Sequence, residues 1–280
     1  MTRAAGPELE RIVDLALIED LGGRGDITTT ATVPDSATGR FRIVARAPGV
    51  VAGSRAAALT FKRIDPTIDV AWKRGDGERV EAGSVLAEIK GPARGILTAE
   101  RVALNFLGRL SGIATLTRAF VDAVAGTDCA IAHTRKTTPG LRALEIEAVL
   151  AGGGAPHRFG LSDAVLIKDN HVAIAGGVAE ALRRARASVG HMTRIAVEID
   201  RLDQLDEALD AGAESILLDN FSVAALEQAV QQTAGRAVFE ASGGIKLESI
   251  RAIAETGIDV ISIGALTHSA PNLDLGLDAV

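Results

Sequence analysis

Several basic side chains in the sequence could together bind a compound that carries more than one negative charge. They are Arg101, Arg135, Lys136, His157, Arg158 and Lys168. An arginine guanidinium is a planar fork that suits a carboxylate or a phosphate, whereas a lysine ammonium acts as a point charge. A ligand with negative charges in fixed positions would explain both types together. Any one of these residues taken singly would be a solvated surface charge, and this interpretation is preferred for Arg142.

Two carboxylates, Glu198 in "RIAVEID" and Asp219 in "SILLDNF", follow apolar runs further along the chain. Paired carboxylates beside an anion site indicate Mg²⁺, which usually binds one or two carboxylates and completes its ligands with substrate oxygens. The alternative is a salt bridge with Lys136 or Lys168, which does not exclude contact with the metal. The residues therefore indicate a polyanion site that also holds Mg²⁺.

Small residues end two further apolar runs, in "ASGGIK" (241–246) and "IGALTHS" (263–269). Free backbone N–H groups at such positions commonly bind a phosphate monoester in α/β barrels. No cysteine nucleophile and no Ser–His–Asp arrangement can be assembled from the sequence. Transfer of a group from a phosphorylated sugar to a second acidic compound therefore fits the residues better than hydrolysis does.

Short apolar strands alternate with amphipathic helices in the part of the chain that carries these side chains. The strand-like runs span residues 129–136, 163–172, 194–200, 215–221, 238–244 and 260–269. The helix-like segments span residues 176–190, 201–214, 222–235 and 246–259, with Ser222 as the expected N-cap of its helix. This alternation predicts a parallel sheet, either an α/β barrel or a doubly wound sheet, and six strands fall short of the eight in a full barrel.

Both architectures bind ligands at the carboxyl ends of their strands. The residues expected to face one pocket there are Lys168, Glu198, Asp219 and Ser242.

Residues 39–98 have a different pattern, because short alternating segments are broken by Gly, Pro and Asp-Gly. This predicts small β elements joined by tight turns. The piece "GDGERVEAGSVLAEIKGPARG" resembles the hammerhead repeat of lipoyl and biotinyl carrier domains, which raises a carrier function with Lys90 as acceptor. Lys90 lacks the acceptor tripeptides of those domains (Asp-Lys-Ala or Met-Lys-Met), so only the scaffold is taken to be shared. Residues 101–126 are expected to form one or two amphipathic helices.

The bulk composition excludes several classes of protein. A chain of 280 residues with 47% hydrophobic content can bury a full core in one large domain or two. The net charge of −6 gives no global basic field for nucleic acid or an anionic membrane, and no apolar run is as long as a membrane helix. The single cysteine, Cys129, excludes an internal disulfide and a cysteine-based metal cluster. The N-terminal segment lacks the apolar core of a signal peptide, so we expect a cytoplasmic enzyme or binding protein.

A series of motifs that spans nearly the whole chain resembles the quinolinate phosphoribosyltransferase family. The motifs are "EDLGGRGDITT", "GVVAG", "TAERVALNFLGRLSGIAT", "TRKTTPGLRALE", "GGGAPHRFGLSDAVLIKDNH", "VEID", "LLDNF", "EASGGI" and "IGALTHS", in this order. The resemblance implies an N-terminal α/β sandwich (1–107) and an incomplete α/β barrel (108–269), with 270–280 as a candidate addition to the sandwich. It also implies a homodimer whose sites are completed across the interface, and leaves a hexamer open.

The resemblance implies a reaction as well as a fold. Quinolinate and phosphoribosyl pyrophosphate would react with Mg²⁺ as cofactor, giving nicotinate mononucleotide, pyrophosphate and CO₂ in NAD biosynthesis. By the same resemblance, the quinolinate carboxylates would be bound by Arg135, His157, Arg158 and Lys168, with Arg101 supplied by the partner subunit. The ribose, the pyrophosphate and Mg²⁺ would be served by Lys136, Glu198 and Asp219, and Lys168 would join these three as a catalytic residue. The 5′-phosphate would be bound by Ser242, Gly243, Gly264 and His268.

The chain departs from the family pattern around the acceptor side. His133 stands where the resemblance leads us to expect Asp, Ile146 and Glu147 replace a Lys-Tyr pair, Leu150 replaces an Arg, and Pro156 replaces an Asn. These changes lower the positive charge near the acceptor. The alternative is therefore a related phosphoribosyltransferase that uses another aromatic acid, of the type found as molybdenum-operon paralogues. The intact "LIKDNH" and "TRKTTPG" favour quinolinate.

Overall fold

The structure of the chain is a computed structural model that describes residues 6–233 and 235–280. Its contacts divide the chain into two units. The first unit contains the described residues up to Arg118 together with 137–153 and 265–280, and the second contains 119–136 and 154–264. Residues 1–5 of the N-terminal segment and Ala234 of the expected helix 222–235 lie outside the described residues.

The elements of both units follow one another along the chain. The first are α1 (Gly6–Leu21), α2 (Ile27–Thr32), β1 (Thr38–Ala45), β2 (Gly49–Val50), α3 (Ser54–Ile64), β3 (Asp69–Trp72), β4 (Arg79–Val80), β5 (Val85–Pro92), α4 (Ala93–Ala123) and β6 (Ala130–Ala132). Then come α5 (Arg142–Ala151), β7 (Val165–Ile167), α6 (Asp169–Ala175), α7 (Val178–Ser188), β8 (Ile195–Ile199), α8 (Gln204–Asp210) and β9 (Ser215–Asp219). The last are α9 (Val223–Thr233), β10 (Val238–Ser242), α10 (Ile250–Ala254), β11 (Val260–Ser262), α11 (Ala265–His268) and β12 (Leu275–Ala279).

The first unit is built on a four-stranded sheet with the order β12-β1-β5-β3, in which all pairs are antiparallel. One face of α4 packs into the core above this sheet through residues spaced three or four apart, namely Ile96, Ala99, Ala103 and Leu107. This spacing is that of one side of a helix, so burial of these apolar residues explains why the segment is helical. Arg101 lies on the exposed remainder of α4.

The second unit is a six-stranded parallel sheet with the order β6-β11-β10-β9-β8-β7. The six predicted strands are therefore confirmed, and β6 does not pair with β7 among the described residues, which fits an incomplete barrel. Ser222 caps α9, because its Oγ accepts a hydrogen bond from the backbone N–H of Ala225 (3.3 Å). Only Ile250–Ala254 of the expected helix 246–259 is helical, since Lys246 and Ser249 form a hydrogen-bonded turn before it.

Three expectations can be compared with the observed organisation. Residues 101–123 belong to a single helix, α4, which begins earlier, at Ala93, and residues 124–126 form a turn after it, so one of the two expected helix counts is observed. A domain boundary after residue 107 would fall inside this unbroken helix, and residues 137–153, expected in the barrel, lie in the first unit. Lys90 lies inside β5, where it pairs with Arg40 of β1 and Asp69 of β3, and this placement gives no support to a carrier function. No helix among the described residues is long and apolar enough to cross a membrane.

Candidate active site

The register of the parallel sheet places several polar side chains in two neighbouring rows. Leu217 of β9 pairs with Glu198 of β8 on one side and with Glu240 of β10 on the other. Two residues further along these strands, Asp219 pairs with Ser242. Because side chains alternate between the faces of a sheet, residues two apart on one strand lie on the same face. The four polar residues therefore share one face near the carboxyl ends of their strands.

An acidic cavity of about 500 Å³ lies at this edge of the sheet. Its lining residues are Asp169, Val172, Ala173, Glu198, Asp200, Arg201, Gln204, Asp219 and Asn220. Lys168 is half-exposed and its Nζ forms an ion pair with Glu198, whose side chain is only 10% exposed. The sequence left a salt bridge as an alternative role for Glu198, and this salt bridge is present with Lys168 as the partner. A second carboxylate, Asp219, lines the same cavity.

Asn220 holds the loop after β9 in place beside Asp219. Its Nδ2 donates a hydrogen bond to Asp219 Oδ2 (2.8 Å), and its backbone N–H donates to Ser242 O (2.9 Å). Its φ of +58° lies in the left-handed region, which asparagine tolerates better than most residues. A Cβ added to Gly243 would collide with Asn220 Oδ1 and lie 2.8 Å from its backbone nitrogen, so only glycine fits there. Sequence reasoning missed Asn220, although Asn directly after an acidic strand end is a signal for this conformation.

Glu240 and His157 form a mostly buried pair on the same face of the sheet. His157 Nε2 lies 3.1 Å from Glu240 Oε2, and the two side chains are 19% and 12% exposed. Burial acts to raise the pKa of Glu240, but the hydrogen bond and charge of His157, with Ser262 and the charge of Arg158, outweigh it and hold the pKa below its usual value. Glu240 is therefore ionised at neutral pH. The sequence analysis missed it, although a single acidic residue inside the apolar run "VFEA" is a usable signal.

His133, one of the departures from the family pattern, is buried with 1% exposure directly after β6. Its Nε2 accepts a hydrogen bond from the backbone N–H of His157 (3.1 Å), and its Nδ1 lies 3.3 Å from Thr134 O. The two imidazole rings meet edge to face, with centroids 6.0 Å apart. His133 thus contacts one of the predicted acceptor-binding residues directly.

Arg158 is partly buried among other charged residues. Its pKa is lowered by burial and by the like charge of Arg135, and this is opposed by Asp163, Glu240 and Glu198. The carboxylate of Asp163 accepts hydrogen bonds from the backbone N–H groups of the two residues that follow Arg158, namely Phe159 and Gly160 (2.9 Å for Gly160). Two cations forced together in a partly buried site favour an anion that binds both. Arg158 Nε is buried and has no hydrogen-bond partner among the described residues.

The remaining predicted site residues fall in both units. Lys136 is exposed in the second unit, and its backbone N–H donates to Thr134 Oγ1 (3.1 Å). Ser242 and Gly264 belong to the second unit as well, and Ser242 Oγ donates to Ser262 O (3.4 Å). Arg101 and His268 belong to the first unit, and both are exposed.

The first unit also contains the three departures on α5 (Ile146, Glu147 and Leu150) and one residue that differs from expectation. Ile146 is buried in α5, and Glu147 on the same helix forms an ion pair with Arg55 (3.4 Å). Arg142, expected to be a solvated surface residue, is partly buried, and its Nε donates to Thr137 Oγ1 (3.0 Å). Arg142 therefore helps to fix the "TRKTTPG" turn.

Models of two protein domains match the chain and together cover most of it. The model of the quinolinate phosphoribosyl transferase N-terminal domain matches residues 26–111, and that of the C-terminal domain matches residues 113–278. Among characterised relatives, the nicotinate-nucleotide pyrophosphorylase [carboxylating] of Mycobacterium leprae is 48% identical over 268 residues, which are 94% of this chain and 94% of the relative. The probable enzyme of the same name from Bacillus subtilis is 42% identical over 97% of this chain and 93% of its own.

Solved structures agree with the sequence relatives. The nicotinate-nucleotide pyrophosphorylase of Francisella tularensis superposes with a TM-score of 0.95 at 37% identity and covers 100% of this chain and 98% of its own. The enzyme from Ehrlichia chaffeensis gives a TM-score of 0.93 at 41% identity, with 96% and 98% coverage. Both the sequence and the fold match over almost the whole length. The chain therefore belongs to the quinolinate phosphoribosyltransferase family.

Proposed function

We propose that the chain transfers the phosphoribosyl group of phosphoribosyl pyrophosphate to quinolinate and releases nicotinate mononucleotide, pyrophosphate and CO₂, a step of NAD biosynthesis. The observation that carries this proposal is one sheet edge of the second unit, where an acidic cavity lies at Glu198 and Asp219 and a partly buried basic cluster forms at His157 and Arg158. A reaction between a phosphorylated sugar and a dicarboxylic acid requires both kinds of site. Relatives named nicotinate-nucleotide pyrophosphorylase [carboxylating] and quinolinate phosphoribosyltransferase [decarboxylating] support the choice of substrates.

The basic cluster is suited to the carboxylates of the acceptor. Arg158 and Arg135 repel each other, and a bound dianion relieves this repulsion. His157 is oriented by Glu240, and its Nδ1 is buried without a hydrogen-bond partner among the described residues. Charge-assisted hydrogen bonds from such groups hold the ring of the acceptor in a fixed position, which contributes more to rate than a loose electrostatic attraction does.

The acidic cavity is suited to the donor. Glu198 and Asp219 lie on adjacent strands and line the same cavity, which fits a Mg²⁺ that takes one or two carboxylates and completes its ligands with pyrophosphate oxygens and water. In the described part of the chain, no group of three or more His, Cys, Asp or Glu residues is arranged to hold a metal ion. When bound, the metal would neutralise charge on the leaving pyrophosphate. Lys136 and Lys168 would also act on the leaving pyrophosphate.

The reaction then depends on the positioning of the two substrates more than on any covalent bond to the protein. The bond between the ribose C1′ and pyrophosphate breaks, and the carboxylates stabilise the positive charge that develops on the ribose. The ring nitrogen of quinolinate forms the new bond to C1′ and becomes positive. The adjacent carboxylate leaves as CO₂, and the electron pair stays on the ring carbon, which takes up a proton. The positive ring nitrogen stabilises this pair, so the protein needs only to align the two substrates.

A second acceptor is favoured by one specific observation. Ile146 is buried and Leu150 is apolar, at positions where the family resemblance leads us to expect Lys and Arg. By the family resemblance these positions belong to the acceptor side, and fewer cations there would suit an aromatic acid with fewer charges. The test is direct: purified protein with phosphoribosyl pyrophosphate, Mg²⁺ and either quinolinate or an aromatic monocarboxylic acid, followed for nucleotide, pyrophosphate and CO₂. Turnover of quinolinate supports the main proposal, and turnover of the monoacid alone replaces it.

Replacing Arg158 by Ala should raise the KM for quinolinate by about 10- to 150-fold and leave the KM for phosphoribosyl pyrophosphate nearly unchanged. The reason is the loss of a charge-assisted contact worth roughly 1.5–3 kcal/mol. Arg135→Ala should behave in the same way. The exposed Arg194, which precedes β8 at the opposite end of the sheet, gives the matched control Arg194→Ala, expected to leave both KM values unchanged. Steady-state kinetics with each substrate varied would refute the assignment if only the donor KM rose.

We further propose a homodimer in which Arg101 completes the acceptor site of the partner subunit; a hexamer of such dimers stays open, and the cytoplasmic location stays a prediction from the sequence. Arg101→Ala and Lys136→Ala should each be inactive alone. After subunit exchange, a statistical mixture of the two should recover about a quarter of wild-type activity, because one site of each heterodimer is intact.

A second mixture gives the control for shared sites. The double variant Arg101→Ala/Lys136→Ala mixed equally with wild type should retain about a quarter of the activity if sites are shared, since both sites of every heterodimer are then defective. It should retain about half if each site lies within one subunit. Recovery of no activity in the first mixture, with exchange demonstrated by mass-tagged subunits, would place Arg101 outside the partner's site.

A further inference from the structure

Two departures from the family pattern, His133 and Pro156, lie side by side in the structure. The chain after α5 runs beside β6, where Ala155 forms a bridge with Ala132 and its N–H donates to Ile131 O (2.6 Å). Pro156 has no N–H group and cannot extend this ladder. The next donor is the backbone N–H of His157, and its acceptor is the side chain of His133 (3.1 Å). A side chain thus continues a backbone ladder at the point where the acceptor-binding residues begin.

The contacts of His133 define which ring nitrogen carries the proton. Nε2 must be an acceptor, because it faces the N–H of His157, and Nδ1 faces Thr134 O (3.3 Å) and must be a donor. Only the neutral ring satisfies both contacts. A carboxylate here could accept the same hydrogen bond, but it would place a negative charge in a position with 1% exposure. Neutral His133 leaves Glu240 as the carboxylate that pairs with His157.

The His157 ring is consequently fixed at two points. His133 fixes its backbone, and Glu240 accepts the hydrogen bond from its Nε2. Glu240 lies in the sheet row of Glu198, so the His157 ring lies on the face of the proposed site. Nδ1 is then the ring nitrogen available to a ligand, and it is buried without a hydrogen-bond partner among the described residues. In the protonated ring, Nδ1–H can donate to a carboxylate of the acceptor.

We propose that His133 is a positioning residue for acceptor recognition: its neutral imidazole holds the backbone of His157 so that the His157 ring, paired with Glu240, presents Nδ1 to a carboxylate of the acceptor. The inference rests on the proposed function for the identity of the acceptor. His133 does not contact the substrate itself. Its effect should appear in acceptor binding, because the residue that it holds in place, His157, belongs to the proposed acceptor site.

The test compares variants that keep or remove the hydrogen-bond acceptor at the Nε2 position. His133→Gln carries an amide oxygen to about that position, His133→Asn is too short to reach it, and His133→Leu has no acceptor. We expect His133→Leu and His133→Asn to raise the KM for quinolinate about 3- to 10-fold, with the KM for phosphoribosyl pyrophosphate unchanged, and His133→Gln to restore most of the loss. The exposed His191 gives the control His191→Leu, which should change neither KM.

A second measurement does not depend on turnover. The chain has 5 histidines, so ¹⁵N-histidine labelling allows the His157 ring shifts to be assigned in the free protein. They should change in His133→Asn and return in His133→Gln. If the wild type does not use quinolinate, the proposed function fails, while these shifts still decide whether His133 positions His157. Unchanged shifts and an unchanged quinolinate KM in His133→Asn, or equal rises of both KM values, would overturn the inference. If His133→Leu does not fold, the Asn and Gln pair carries the test.

Discussion

Replacing Glu198 by Gln is expected to lower kcat about 100- to 1000-fold and to change the KM for quinolinate little. Glu198 is nearly buried beside Asp219 in the acidic cavity, where an ionised carboxylate can stabilise the charge that develops on the ribose. Removing one preorganised electrostatic partner of a transition state costs roughly 2.7–4 kcal/mol. Asp219→Asn should act in the same direction, and its hydrogen bond with Asn220 limits the change in geometry.

The ion pair with Lys168 offers a rival explanation for the same loss, because Glu198→Gln also releases Lys168. A double-mutant cycle separates the two. If Glu198 only positions Lys168, the double variant Lys168→Ala/Glu198→Gln should be no slower than Lys168→Ala alone. If Glu198 also acts on the donor, the double variant should be clearly slower. Asp203→Asn removes an exposed carboxylate just after β8 and serves as the charge-matched control. Full activity in excess chelator would contradict the metal assignment.

The sequence predicts one edge of this site well, for a physical reason. Apolar runs that end in polar residues and alternate with helices indicate parallel strands, and parallel strands bring their carboxyl ends together. Lys168, Glu198, Asp219 and Ser242 each end or follow such a run, so their shared sheet edge follows from topology alone. The Lys168–Glu198 ion pair could be anticipated on the same basis, because these residues end strands that are neighbours in the sheet.

Other features depend on contacts between segments far apart in the sequence and could not be predicted from local patterns. The pair His157–Glu240 joins a loop to an inner strand, and the contact of His133 with the backbone of His157 depends on how that loop lies beside β6. The same limit applies to α4. Its apolar face begins at Ile96, but only packing against the sheet of the first unit shows that one unbroken helix runs from Ala93 to Ala123.

The fold of the first unit should depend strongly on Glu145, and Glu145→Ala is expected to lower the free energy of unfolding by about 3–5 kcal/mol. Glu145 is fully buried in α5 and accepts hydrogen bonds from Arg109 Nη2 (2.9 Å), from Thr138 N (3.0 Å) and from Thr138 Oγ1 (2.7 Å). Arg109 also donates to the backbone oxygens of Thr267 and Ala270. This ion pair therefore joins α4, the turn before α5 and the C-terminal segment.

The large expected loss of unfolding free energy arises because Glu145→Ala leaves several donors without their acceptor. Without Glu145, the mostly buried guanidinium of Arg109 has lost its carboxylate, and Thr138 keeps two donors without their acceptor. Glu145→Gln keeps the shape and part of the hydrogen bonding, so it should cost less than Glu145→Ala. Glu10→Ala breaks an exposed ion pair with Arg63 (2.8 Å) in the same unit and should cost no more than about 1 kcal/mol. Urea unfolding of the three variants gives the comparison. Equal losses for Glu145→Ala and Glu10→Ala would show that burial does not make Glu145 important, and that the hydrogen-bonded cluster around Arg109 does not hold these segments together.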